Sequence, residues 1–152
     1  MLDRACFFNM MAGSVRGVDG MDPQIEQRRS FRQNQSREKL NLASIMLSKG
    51  DYNKSVIDAY LSLFYSVRIL LVSNDSDTDD DKRILELVEK YYEPSGWTEI
   101  DIPSLLRTGR ELKERIEISG AGVTRADAER FYHSAAAVYD SITREMPGCA
   151  GH

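Results

Sequence analysis

Cysteine, long apolar runs and surplus positive charge are all scarce in this chain, and each shortage removes a class of function. Its two cysteines, Cys6 and Cys149, stand near opposite ends, so they supply neither a disulfide framework nor a metal site, and they suit a reducing cytoplasm. The strongest apolar run, residues 69–72, is far below the roughly 20 residues of a membrane span, so no membrane association is expected. Twenty basic against 24 acidic residues give a net charge of -4 and a pI near 5.2, which excludes coating of nucleic acid through bulk charge. Only a local basic face could bind RNA. Alternation with period two is missing, so no strand is expected. The stretch ACFFNMMAG, interrupted by Asn9 and preceded by Asp3 and Arg4, makes a poor secretion signal, and residues 1–21 read as a disordered or misannotated leader.

What the chain does have is helical periodicity. With 152 residues, 41% of them hydrophobic, it can bury one core without staples, and one domain is expected over residues 22–146, followed by a flexible tail at 147–152. Asp22-Pro23 is a cap and first-turn proline for a helix running to about Ser48, of which only the second half, with Leu40, Ala43, Met46 and Leu47, carries a clear apolar face. Lys49-Gly50-Asp51 ends it and starts the next helix, whose Val56, Ala59, Tyr60, Leu63, Phe64, Val67, Leu70 and Leu71 form one broad stripe. Residues 73–81, SNDSDTDDD, are a solvated loop. A short helix follows from about Asp80 to Tyr92, then a loop containing Trp97, either a packing plug, the commoner role, or a stacking platform. Pro103 suits the first turn of a fourth helix ending near Gly120. The last helix has Thr124 as cap, Asp127 three residues on, and a Val123–Ala128 staple. The fold predicted is all-α: an antiparallel up-and-down helical bundle of four main helices plus one short helix.

The order Ala-Tyr-x-x-Leu-Phe-Tyr-x-x-Arg-x-Leu-Leu at residues 59–71 resembles the second helix of HEPN domains, and the order of parts from Arg37 to Met146 agrees with that family. The stretch LASIMLSKGDYNKSVIDAYLSLF also resembles one tetratricopeptide unit, but no second copy follows 34 residues on, and a solenoid needs about three.

The HEPN resemblance implies a homodimer. It also implies, in catalytic members, a metal-independent endoribonuclease without cofactor, built on an arginine and a histidine with four to six residues between them. The imidazole would move a proton at the ribose 2'-hydroxyl and the guanidinium would steady the phosphate. Arg110 matches the arginine. The positions where the histidine belongs hold Arg115, Ile116 and Glu117, and the windows after Arg107 and Arg125 also lack one. His133 lies one step beyond the last window, so it is either a substituted base or a histidine on an apolar face held by Glu129 at i-4. Arg107, Arg110, Lys113 and Arg115 read either as a solvated face, with pairs such as Glu111–Arg115, or as a remnant phosphate-binding cleft. Arg28, Arg29 and Arg32, with Arg37 and Lys39 beyond, are the best candidate RNA or nucleotide surface, with Phe31 their one aromatic. Asp75, Asp77, Asp79 and Glu86 fit positions 1, 3, 5 and 12 of a calcium loop, but Asp80 replaces the turn glycine, so no metal is expected.

The missing histidine makes a degenerate, non-catalytic binding or regulatory module the leading expectation. The resemblance adds a nucleotidyltransferase partner in a toxin-antitoxin or defence pair. The alternative is an endoribonuclease that uses Arg110 with His133.

Overall fold

A computed structural model describes residues 23–72, 78, 80–91, 100–120 and 122–145. The leader, Cys6, Asp75, Asp77, Asp79, Trp97, Cys149 and the tail lie outside them. Five helices follow in order: α1 (Pro23–Lys49), α2 (Tyr52–Val72), α3 (Asp81–Tyr91), α4 (Ile102–Ser119) and α5 (Arg125–Glu145). There is no strand among the described residues. They form the antiparallel bundle expected, four long helices and the short α3.

The turn from α1 to α2 is dictated by two residues. Gly50 takes φ +83°, where a side chain would be strained, while its N–H donates to the Leu47 carbonyl (3.1 Å) and the Asp51 N–H to that of Met46 (2.9 Å). This is a Schellman ending, and Asp51 then caps α2 by accepting from the Lys54 N–H at 3.2 Å. So short a link forces antiparallel packing. Ser36 meets Ser62 and Ser66, and Ser55 donates to the Ala43 carbonyl, so numbers rise on one helix as they fall on the other.

Helix α2 is the hub, touching all four other helices. Val56, Leu63, Val67, Ile69, Leu70 and Leu71 are fully buried on it. Each contributes about 1.5–3 kcal/mol relative to exposure. Ile84, Leu87 and Val88 of α3, Ile102 and Leu106 of α4, and Ala128, Phe131, Ala135, Val138 and Ile142 of α5 complete the core. By length and composition α2 could cross a membrane, which the four-residue run at 69–72 does not reveal, yet 83% of its apolar window is buried against the other helices.

The N-terminal half of α1 packs as well, which corrects the sequence expectation. It does so with polar residues: Arg29 is 4% exposed and Ser36 is fully buried. With its single proton given to the Ser62 carbonyl (2.9 Å), Ser36 Oγ accepts from the hydroxyls of Ser62 (3.0 Å) and Ser66 (2.6 Å). Ser36→Ala is expected to cost about 1–3 kcal/mol in denaturant unfolding, because it strips these hydroxyls of their partner inside the seam. An unchanged midpoint would show the seam to be wet.

Helices α4 and α5 begin as their sequences direct. Asp101 caps α4, accepting from the Ser104 N–H at 3.1 Å. Thr124 caps α5 by accepting from the Asp127 N–H at 3.1 Å, and Asn53 of α2 accepts from the Val123 N–H at 2.9 Å, tying the start of α5 to the start of α2.

Candidate functional site

The residue before Arg110 explains where that arginine sits. A Cβ on Gly109 would lie 2.5 Å from Phe131 Cζ and 2.5 Å from Tyr60 Cδ1, so the missing side chain lets α4 approach both α2 and α5. Arg110, about 100° further round α4, is thereby held at the edge of that contact, 29% exposed. Its Nε donates to Glu114 Oε2 at 3.3 Å. Lys113 donates to Glu117 at 3.0 Å, and Arg107 pairs with Glu89 of α3.

These pairs leave little net charge on the face. The cations Arg107, Arg110, Lys113 and Arg115 stand beside Glu89, Glu111, Glu114 and Glu117. The expected Glu111–Arg115 pair does not form, and Arg115 is an exposed guanidinium with no ion pair among the described residues. Exposed pairs of this kind are worth about 0–1 kcal/mol, so a phosphate could displace Glu114 or Glu117, though without a strong field to draw it in.

His133 is not beside Arg110 in the chain. Phe131 points at Gly109, and a residue two positions on lies about 200° round the helix, so His133 faces away from α4. It is exposed, not set on an apolar face, with its ring edge-on to Tyr132 at 5.3 Å. Glu129 does not hold it either. That carboxylate accepts from Arg125 at 2.9 Å, and the hydrogen bond, then the charge of Glu129, raises the guanidinium above its ordinary value. Arg130 pairs with Asp127 at 3.3 Å, so the acid–base cluster conceivable around His133 is not assembled. The second histidine, His152, lies outside the described residues.

The basic end of α1 is smaller than its sequence suggests. Arg28 is exposed, but Arg29 is buried and leaves the candidate surface, and Arg32 lies partly buried with its guanidinium 5.2 Å over the Phe31 ring, donating to Gln35 at 2.8 Å. The shallow concavity beside them, about 430 Å³, is lined by Glu26, Gln27, Ser30, Phe31 and Asn34. It offers one carboxylate and no cation, a poor setting for phosphate.

Sequence reading passed over Asp58 and took Arg68 only as part of the quoted pattern at residues 59–71, giving neither a role. Asp58 is 1% exposed and accepts from Lys54 at 3.2 and 3.3 Å, while Arg68, also buried, lies 5.7 Å from the Phe64 ring centroid. Their signal was present: an acid and a base set in a helix otherwise read as one apolar stripe. No group of three or more His, Cys, Asp or Glu residues suited to a metal occurs among the described residues, and Glu86 of the calcium template is engaged by Arg83 at 3.2 Å. Comparison with protein-family models matches residues 30–145 to the HEPN domain. None of the curated proteins matches this chain.

Proposed function

This chain belongs to the HEPN domain family, and from that premise we propose that it is a degenerate, non-catalytic member: a cytoplasmic homodimer acting as a binding or regulatory module. It would work beside a nucleotidyltransferase in a toxin-antitoxin or defence pair, with RNA or a nucleotide as its ligand. The observation that carries the reading is the direction of His133. An arginine that can hold a phosphate has no imidazole next to it among the described residues, because the only described one projects from the opposite side of α5. Without an imidazole to serve as general base at the 2'-hydroxyl, about 10²–10⁴ of the rate of transesterification is forgone.

One observation favours a second reading. Because His133 is exposed on the outside of the bundle, a second subunit could bring it to Arg110 and restore an endoribonuclease. Incubating the purified dimer with single-stranded RNA and a chelator, beside Arg110→Ala and His133→Ala, separates the two. Intact RNA in all three samples is expected. Cleavage by the parent that disappears in both variants would establish the nuclease instead. Co-expression with a nucleotidyltransferase from an adjacent reading frame tests the partner by co-purification.

A further inference from the structure

Two stripes run side by side along α1, one residue out of step. Residues 29, 33, 36, 40, 43 and 47 face inward: Ser36 and Ala43 are fully buried, and Leu40 and Leu47 pack on the core. Residues 28, 32, 35, 39, 42 and 46 lie about 100° further round. None of these is fully buried, and Leu42 and Met46 take no part in the core cluster. On α2, Lys54, Ile57, Leu61 and Tyr65 are likewise incompletely buried and share one face, and Ile57 and Leu61 are outside the core. The antiparallel register set by the serine contacts brings Leu42 level with Ile57, Lys39 with Leu61 and Arg32 with Arg68.

The α1–α2 seam therefore has an outer side with two unlike ends. One end is aliphatic, made by Leu42, Met46, Ile57 and Leu61, with Ile45 exposed beside it. Toward the other end stand Arg28, Arg32 and Lys39, with Lys54 closing the aliphatic end. The carboxylates on or beside it are Asp58, buried and engaged by Lys54, Asp51, which caps α2 three residues before Lys54, Glu38, one step further round α1, and Glu26, which borders the concavity beside Arg28 and Arg32; Arg68, level with Arg32, is a fifth cation. In a chain of net charge -4 this side is locally basic.

We propose that the outer side of the α1–α2 seam receives an acidic amphipathic helix of a partner protein. Its apolar stripe would cover Leu42, Met46, Ile57 and Leu61, and its carboxylates would meet Arg28, Arg32 and Lys39. A helix of about 18 residues, ~27 Å long, spans that distance. A second copy of this chain is a worse fit, because a two-fold axis along the seam would set the basic stripe against itself and one across it would set the basic end on the aliphatic end. Single-stranded nucleic acid would leave the aliphatic end unused, since stacking needs aromatic faces. The inference rests on the reading of the chain as a binding module and supplies the chemistry of its partner.

The test is a selection from a displayed library of amphipathic helices with a fixed Leu/Ile stripe and randomised flanks. Enrichment of Glu and Asp in the flanks is expected. A selected peptide should bind about tenfold more weakly to Leu61→Asp and to Arg32→Glu, both checked for folding by circular dichroism, and unchanged to Ile118→Ser on α4. The less disruptive Leu42→Ser should weaken it in the same direction. No binder, no enrichment of acids, or indifference to these variants would overturn the proposal. So would a parent dimer that Leu61→Asp converts to monomer, or a 15-nucleotide RNA that binds the parent and is lost with Arg32→Glu but not with Leu61→Asp. RNA cleavage by the parent would instead strike the non-catalytic reading, leaving the selection to judge the seam.

Discussion

Gly109→Ala is expected to lower the melting temperature, although alanine is the better helix former by about 0.8–1.0 kcal/mol. The opposing effect is steric. The new Cβ would lie 2.5 Å from ring atoms of both Phe131 and Tyr60, and these rings are themselves buried, so neither can swing aside cheaply. Overpacking costs about 1–3 kcal/mol, which outweighs the propensity gain. For a chain of this size that means a fall of about 2–4 °C per kcal/mol in a thermal melt. Gly109→Val should lose more, and Phe131→Leu should restore part of the loss in Gly109→Ala, a coupling of about 0.5 kcal/mol or more in a double-mutant cycle. A melting temperature that rises on Gly109→Ala would mean that α4 does not approach α2 and α5 at this point, and the placement of Arg110 would fall with it.

Leu63→Ala and Leu61→Ala should differ sharply, although they remove the same atoms two positions apart on α2. Leu63 is fully buried at the centre of the core, and its truncation is expected to cost about 2–5 kcal/mol in denaturant unfolding. Leu61 lies on the open side of the seam, so its truncation should cost about 1 kcal/mol or less. Equal losses would show that Leu61 is covered, leaving no room there for a partner helix.

Most of the architecture was legible because it is written in apolar spacing and in caps. The Gly50-Asp51 turn, Thr124 with Asp127, and the Val56 to Leu71 stripe each state their structure locally, and the short α3 was placed to within a residue at each end. The packing of α1 before Leu40 was not legible, because Arg29 and Ser36 are residue types that periodicity arguments count as wet. Ser36 is buried through the hydroxyls of Ser62 and Ser66, and nothing on α1 announces those partners. The site was read less well. Several glutamates stand four residues from a cation on α4, and spacing alone does not choose Arg110–Glu114 and Lys113–Glu117 over Glu111–Arg115. The direction of His133 could have been found, since Ala128, Phe131, Ala135 and Val138 already fix the inward side of α5 and put residue 133 opposite. What spacing could not supply is the empty place at Gly109, which shows itself only when two aromatic rings from distant helices occupy it.

Because α2 is wrapped by partners from both ends of the chain, its history during synthesis differs from its final state. It leaves the ribosome with only α1 available to cover it, and the helix that shields its far side, α5, is complete about 70 residues later. At ordinary elongation rates of roughly 5–20 residues per second, the side of α2 that α5 covers therefore waits about 4–14 s for its partner. Until then the nascent chain exposes apolar surface that the finished bundle conceals.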